Sequence, residues 1–156
     1  MYLLMYQKTT LCVFNMKIQL LNNKIRSLSL TPETTPIKSK KKNAETVTVD
    51  AQIQLNNEVY LNQKNKSLFR VRYKLSVSIP HNVIIEMEYD FDFKADEDVD
   101  QEIAQSMTIR SAVPNLVYPY IKVYVEQIMT MSGYGQIPLP FVDFNEHPLP
   151  ANSKEN

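Results

Sequence analysis

The chain has 156 residues, with 17 basic and 17 acidic side chains. That length suits one domain, 44% hydrophobic residues are too many for wholesale disorder, and zero net charge gives no field to attract nucleic acid or an anionic membrane. One cysteine cannot close an internal disulfide, and with two histidines it is too little for an all-N/S zinc site; two glycines exclude a glycine-rich phosphate cradle. No metal and no cofactor is expected.

The apolar patches Met1–Tyr6 and Leu11–Phe14 are far shorter than the roughly 20 residues that span a bilayer. Lys8 follows the first patch, whereas a secretory signal places its positive charge before the apolar core. A cytoplasmic protein is expected. Residues 1–15 have two readings: an extension upstream of a true start at Met16, or an extra strand or apolar plug.

Met16 to Leu30 supplies a first strand, with Leu28 and Leu30 alternating against Ser27 and Ser29. The loop 32–45 combines Pro32 and Pro36 with Lys38, Lys40, Lys41 and Lys42. It reads as a solvated connection between strands, because no aromatics are interleaved for base stacking. From Thr46 the pattern has period two, with Val47, Val49, Ala51, Ile53 and Leu55 on one side. Phe69 to Ile79 and Ile85 to Phe93 repeat it, joined by the three-residue loop Pro80-His81-Asn82. A hairpin closed by Ile79 and Val83 sets Lys74 opposite Glu88, Arg72 opposite Asp90 and Arg70 opposite Asp92. A one-residue slip would bury all of these charges, so the register is specified twice.

Asp96, Asp98 and Asp100 match the start of a calcium loop, but Gln101 stands where that loop needs glycine and Met107 where it needs glutamate. Asp98 or Asp100 is instead expected to cap a short helix through Ile103 and Ala104. A long helix is predicted over 114–131, bent at Pro119 and stopped before Gly133. Its apolar residues cover about half the circumference, wider than one sheet contact requires, which points to contact with both its own sheet and another subunit. Residues 133–144 are extended by Pro138 and Pro140 and unusually apolar for a loop; packing on the core and rimming a groove both remain open. Pro148 and Pro150 prevent a further helix, and 148–156 is expected to be a disordered tail. His81 in a turn and His147 in the tail have no nucleophile placed beside them by any motif, so no enzyme is expected.

Two stretches carry a resemblance: Pro114-Asn-Leu-Val-Tyr-Pro-Tyr120, and Gln136-Ile-Pro-Leu-Pro-Phe-Val-Asp-Phe144. They are similar to the Pro-Asn-x-Leu-Phe-Pro-Tyr helix start and the Pro-x-x-x-Leu-x-Pro-x-Asn-Phe loop of the SecB family of protein-export chaperones. Tyr118 stands for the phenylalanine, and Asp143 for the asparagine before Phe144. The resemblance implies an α+β fold over 16–147: a four-stranded antiparallel sheet packed on a long, proline-kinked helix. It implies a homotetramer, built as a dimer of dimers, and an ATP-independent holdase for unfolded or precursor polypeptides. On this sequence it assigns the client groove to Tyr120, Tyr124, Tyr134, Ile137, Leu139, Phe141, Val142 and Phe144. It assigns the helix seam between subunits to Ile121, Tyr124, Val125, Ile128 and Met129.

Two departures stand out. The family's second helix after the loop is missing here. The family also docks a translocase motor ATPase through acidic residues on the first strand, whereas 24–31 has none; Glu86 alone matches a further acidic site on the last strand. Client holding is the expected inheritance, either for varied clients or for one dedicated partner such as an antitoxin. A structural protein that kept the fold without holdase activity is the third reading.

Overall fold

The structure, a computed structural model, describes residues 10–13, 16–34 and 51–151, the first four by backbone pairing alone. Five strands, β1 (Thr10–Val13), β2 (Met16–Pro32), β3 (Gln52–Leu61), β4 (Leu68–Ile79) and β5 (Val83–Ala95), form one antiparallel sheet in the order β1-β2-β5-β4-β3. A short helix, α1 (Gln101–Ala104), a π-helical turn (Thr108–Ala112) and the long helix α2 (Val113–Met131) follow. The expected four-stranded sheet and bent helix are present. The addition is β1, which pairs Thr10 with Gln19 and Val13 with Met16, so part of the 1–15 segment does add a strand.

The central hairpin has the predicted register: Ile79 pairs with Val83, Lys74 with Glu88, Arg72 with Asp90 and Arg70 with Asp92. The odd-numbered residues from Phe69 to Ile79 and from Val83 to Phe93 are buried, and the charged residues between them form the opposite face. Arg72 makes a two-pronged bond to Asp90, Nε to Oδ1 at 2.7 Å and Nη2 to Oδ2 at 3.0 Å. Lys74 does not close on Glu88 as its register invites. Its Nζ lies 2.9 Å from Glu58 on β3 and only 4.0 Å from Glu88.

Two sequence expectations need correction. The described part of the third strand runs on to Leu61, beyond the alternation that ends at Leu55; positions 46–50 lie outside the described residues. Asn57 hid this extension, because it occupies a core-facing position yet is polar, and it is buried opposite Tyr73. In β2 the alternation fails because the register to β5 slips twice, between Leu20 and Asn22 and between Ile25 and Ser27. Each bulge reverses which parity faces inward. Met16 and Ile18 are therefore inward, then Ile25, then Leu28 and Leu30. The bulged Leu21 is left 48% exposed, while the bulged Arg26 reaches Glu88 at 3.4 Å.

Burial alone would push the Asp90 carboxyl up, but the Arg72 hydrogen bonds and the charges of Arg72, Arg70 and Arg26 outweigh it and hold the group below the usual range. A depressed folded value contributes stability that is fully present above the unfolded value of about 3.9 and lost as pH falls through the folded one. Asp90→Asn is expected to cost about 2 kcal/mol at pH 7 and to flatten the acid limb of stability against pH, measured by urea denaturation from pH 7 to pH 2. Tyr73 is fully buried on β4, and its hydroxyl has no hydrogen-bond partner among the described residues. Tyr73→Phe removes an unsatisfied polar atom without changing shape, so urea midpoints should rise by the equivalent of about 1 kcal/mol.

Candidate client-binding site

Helix α2 begins where its sequence says it should. Asp100 caps α1 by accepting from the Ile103 N–H at 2.9 Å, and Pro114 occupies the first turn of α2. At the far end Gly133 takes φ +87°, the Tyr134 N–H donates to the Met129 carbonyl and the Gly133 N–H to the Thr130 carbonyl. This paired closure requires a left-handed residue at Gly133 and turns the chain back along the helix.

The returning segment is extended and pinned at intervals. Leu139 N–H donates to Glu126 Oε1 at 2.8 Å, and the same oxygen accepts from Lys122 Nζ at 2.6 Å. Tyr118 Oη donates to the Pro140 carbonyl at 2.8 Å, the Phe144 N–H to Asn115 Oδ1 at 3.0 Å, and Ser111 Oγ to Asn145 Oδ1 at 2.8 Å. Burial, reinforced by the charge of Glu126, pushes the Tyr118 hydroxyl up to about 12, so it remains a donor across the neutral range. The loop therefore runs antiparallel to α2, from its last turn to its first.

Of the loop residues expected in a groove, Leu139 and Phe144 are buried in the core, and the Phe144 ring meets Tyr118 edge-on at 5.6 Å. Tyr134, Ile137 and Val142 are half-buried against it. Phe141 is different: it is 85% exposed. The loop thus packs on the core through Leu139 and Phe144 and displays Phe141.

Tyr120 and Tyr124 do not join that loop. They pack on β5, Tyr124 with Tyr89 at 5.9 Å and Tyr120 with Phe91 at 6.2 Å. At about 100° per residue they lie roughly 80° to 180° around the helix from Asn115, Glu126 and Thr130, which face the loop. Of the residues assigned to a seam, Ile121, Val125 and Met129 are fully buried in the subunit's own core, while Tyr124 and Ile128 are half-buried. The exposed apolar residues of α2 are Tyr120, Val123 and Met131. Val123 belongs to neither the groove nor the seam assignment, because breadth of apolar coverage does not say which part turns towards the sheet.

Glu86 is exposed on the polar face beside Ser27, Ser29, Lys74 and Glu88, lining a shallow cleft of about 440 Å³. A second cleft of about 540 Å³ opens on the same face near Leu21, Tyr60 and Arg70. Neither touches α2 or the loop. Extended segments bind along shallow apolar surfaces, so the displayed loop is the better candidate. Among the described residues no group of three or more His, Cys, Asp or Glu is placed to hold a metal, and no helix is long and apolar enough to cross a membrane. The basic stretch 38–42 lies outside the described residues.

A family model for the preprotein translocase subunit SecB matches residues 14–147. Among solved structures, the chain is similar to the Mycobacterium tuberculosis Rv1957 SecB-like chaperone, in complex with a ChAD peptide from the Rv1956 HigA1 antitoxin. That likeness has a TM-score of 0.62 at 15% identity, covering 81% of this chain and 88% of that one. No curated protein matches the chain by sequence.

Proposed function

The chain belongs to the SecB family, and from that premise we propose that it is an ATP-independent holdase, which binds extended apolar segments of non-native polypeptides along the loop 134–144. The carrying observation is Phe141, a large aromatic side chain displayed at 85% exposure on a loop whose neighbours are anchored. A pinned loop loses little entropy when a client arrives, so contacts made there convert into affinity. We place the protein in the cytoplasm, as a binding protein without catalysis. Its subunits assemble as a dimer of dimers through the outward side of α2. Suppression of aggregation of several unrelated unfolded proteins tests the reading; no suppression at a severalfold molar excess overturns it.

One observation favours a narrower version. The similar Rv1957 structure holds a peptide from an antitoxin, which supports a single dedicated polypeptide as this protein's client. Co-purification from the native host distinguishes one recurrent partner from many. Export through a motor ATPase receives less support. Glu58, Glu88, Asp90 and Asp92 are each ion-paired on the polar face, leaving Glu86 as its one acid without an ion pair among the described residues. Glu86→Lys is expected to leave client holding unchanged, measured in the same aggregation assay.

A further inference from the structure

Residues 148–151, expected in a disordered tail, dock on the domain instead, and the manner of docking is informative. The sequence Pro-Leu-Pro occurs at 138–140 and again at 148–150. Both central leucines are buried, Leu149 to 6% exposure. Leu149 is also held through its main chain by one residue: its N–H donates to the Arg110 carbonyl at 2.9 Å, and its carbonyl accepts from Arg110 Nε at 2.7 Å. Arg110 thus offers an acceptor and a donor to the N–H and C=O of a single extended residue, as a neighbouring strand would.

The acceptor lacks its usual α-helical donor for a local reason. In an α-helix the Arg110 carbonyl would receive the N–H four residues on, and that residue is Pro114, which has none. The preceding turn is π-helical, with the Val113 N–H donating to the Thr108 carbonyl, so the pairing pattern changes just before Pro114. The contacts to Arg110 use only main-chain atoms of Leu149, so any non-proline residue can make them. The flanking prolines hold the segment extended before it docks, which lowers the entropy lost.

We infer that Arg110 and the buried position that Leu149 occupies form a peptide-binding subsite for an aliphatic side chain on an extended, proline-flanked segment. The chain's own Pro148-Leu149-Pro150 is its resident ligand, and a client segment of the same chemistry displaces it. This rests on the client-holding reading and extends it from the loop to the first turn of α2. Because the resident copy is tethered, it competes at high effective concentration. Only segments that match the subsite well enough enter, which makes the tail a selectivity filter.

The test uses the full chain, carbon-13-labelled at leucine methyls, and a synthetic peptide with the sequence of residues 146–152. Excess peptide should move the Leu149 methyl resonances to positions typical of exposed leucine while those of Leu75, in the sheet core, stay fixed. By fluorescence anisotropy, the Leu149→Ala chain should bind the labelled peptide about ten-fold tighter or more than wild type, the equivalent of removing one buried aliphatic competitor. A peptide with aspartate in place of its leucine should bind neither chain. Leu149 resonances that stay fixed at millimolar peptide overturn the subsite, and this readout decides even if Leu149→Ala fails to fold. Equal affinity of a folded Leu149→Ala chain and wild type also overturns it. Aggregation suppression, measured in parallel, separates the two ideas: exchange without suppression leaves the subsite and removes the holdase, and suppression without exchange does the reverse.

Discussion

Phe141→Asp is expected to weaken client binding by about ten- to a hundred-fold and to leave the fold intact. Burying one large apolar side chain contributes about 1.5–3 kcal/mol, and each 1.4 kcal/mol is a factor of ten in affinity. A carboxylate at the same point must also be desolvated when an apolar client covers it, which adds to the loss. The fold survives because Phe141 contributes little to it: the side chain is almost fully exposed, while Leu139 and Phe144 on either side carry the anchoring. Leu139→Asp makes the contrast, since it places a charge at a position only 2% exposed and should destabilise the subunit itself. Anisotropy titrations with a reduced, labelled unfolded protein, beside circular dichroism of each variant, measure both effects. Full client affinity in a well-folded Phe141→Asp protein would show that the loop is a core strap and that clients bind elsewhere.

What could be read from sequence was what local pattern controls. The hairpin from Phe69 to Phe93 was legible to the residue pair because strict alternation and opposite charges agree, and both are nearest-neighbour information. The Asp100 cap and the Gly133 stop were legible because each residue type answers a specific backbone need. The bulges at Leu21 and Arg26 were not. Each adds one unpaired residue, and two phase reversals so close together erase any period-two signal. The faces of α2 were not legible for another reason: Ile121 and Val123 are both apolar, and only tertiary packing turns one inward and the other out. Pro114 announces a spare carbonyl at Arg110, but no local rule names Leu149, 39 positions away, as its partner.

On the proposed assembly through α2, Val123→Glu is expected to separate the chains while leaving each one folded. Tyr120, Val123 and Met131 lie along one side of α2, 38%, 52% and 81% exposed respectively. The described part of the subunit therefore displays an apolar stripe that a second copy of the helix would bury. In such a seam an unpaired carboxylate loses its hydration without gaining a partner, a cost of several kcal/mol, enough to reverse a modest association. The inward residues behave differently, because Ile121, Val125 and Met129 are already fully buried against their own sheet. Val125→Glu should consequently lose cooperative unfolding altogether, whereas Val123→Glu keeps the urea transition and changes only the molar mass. Light scattering coupled to size exclusion reads the mass. A wild-type protein that is monomeric at micromolar concentration removes the seam, and a Val123→Glu protein of unchanged mass places it on another surface.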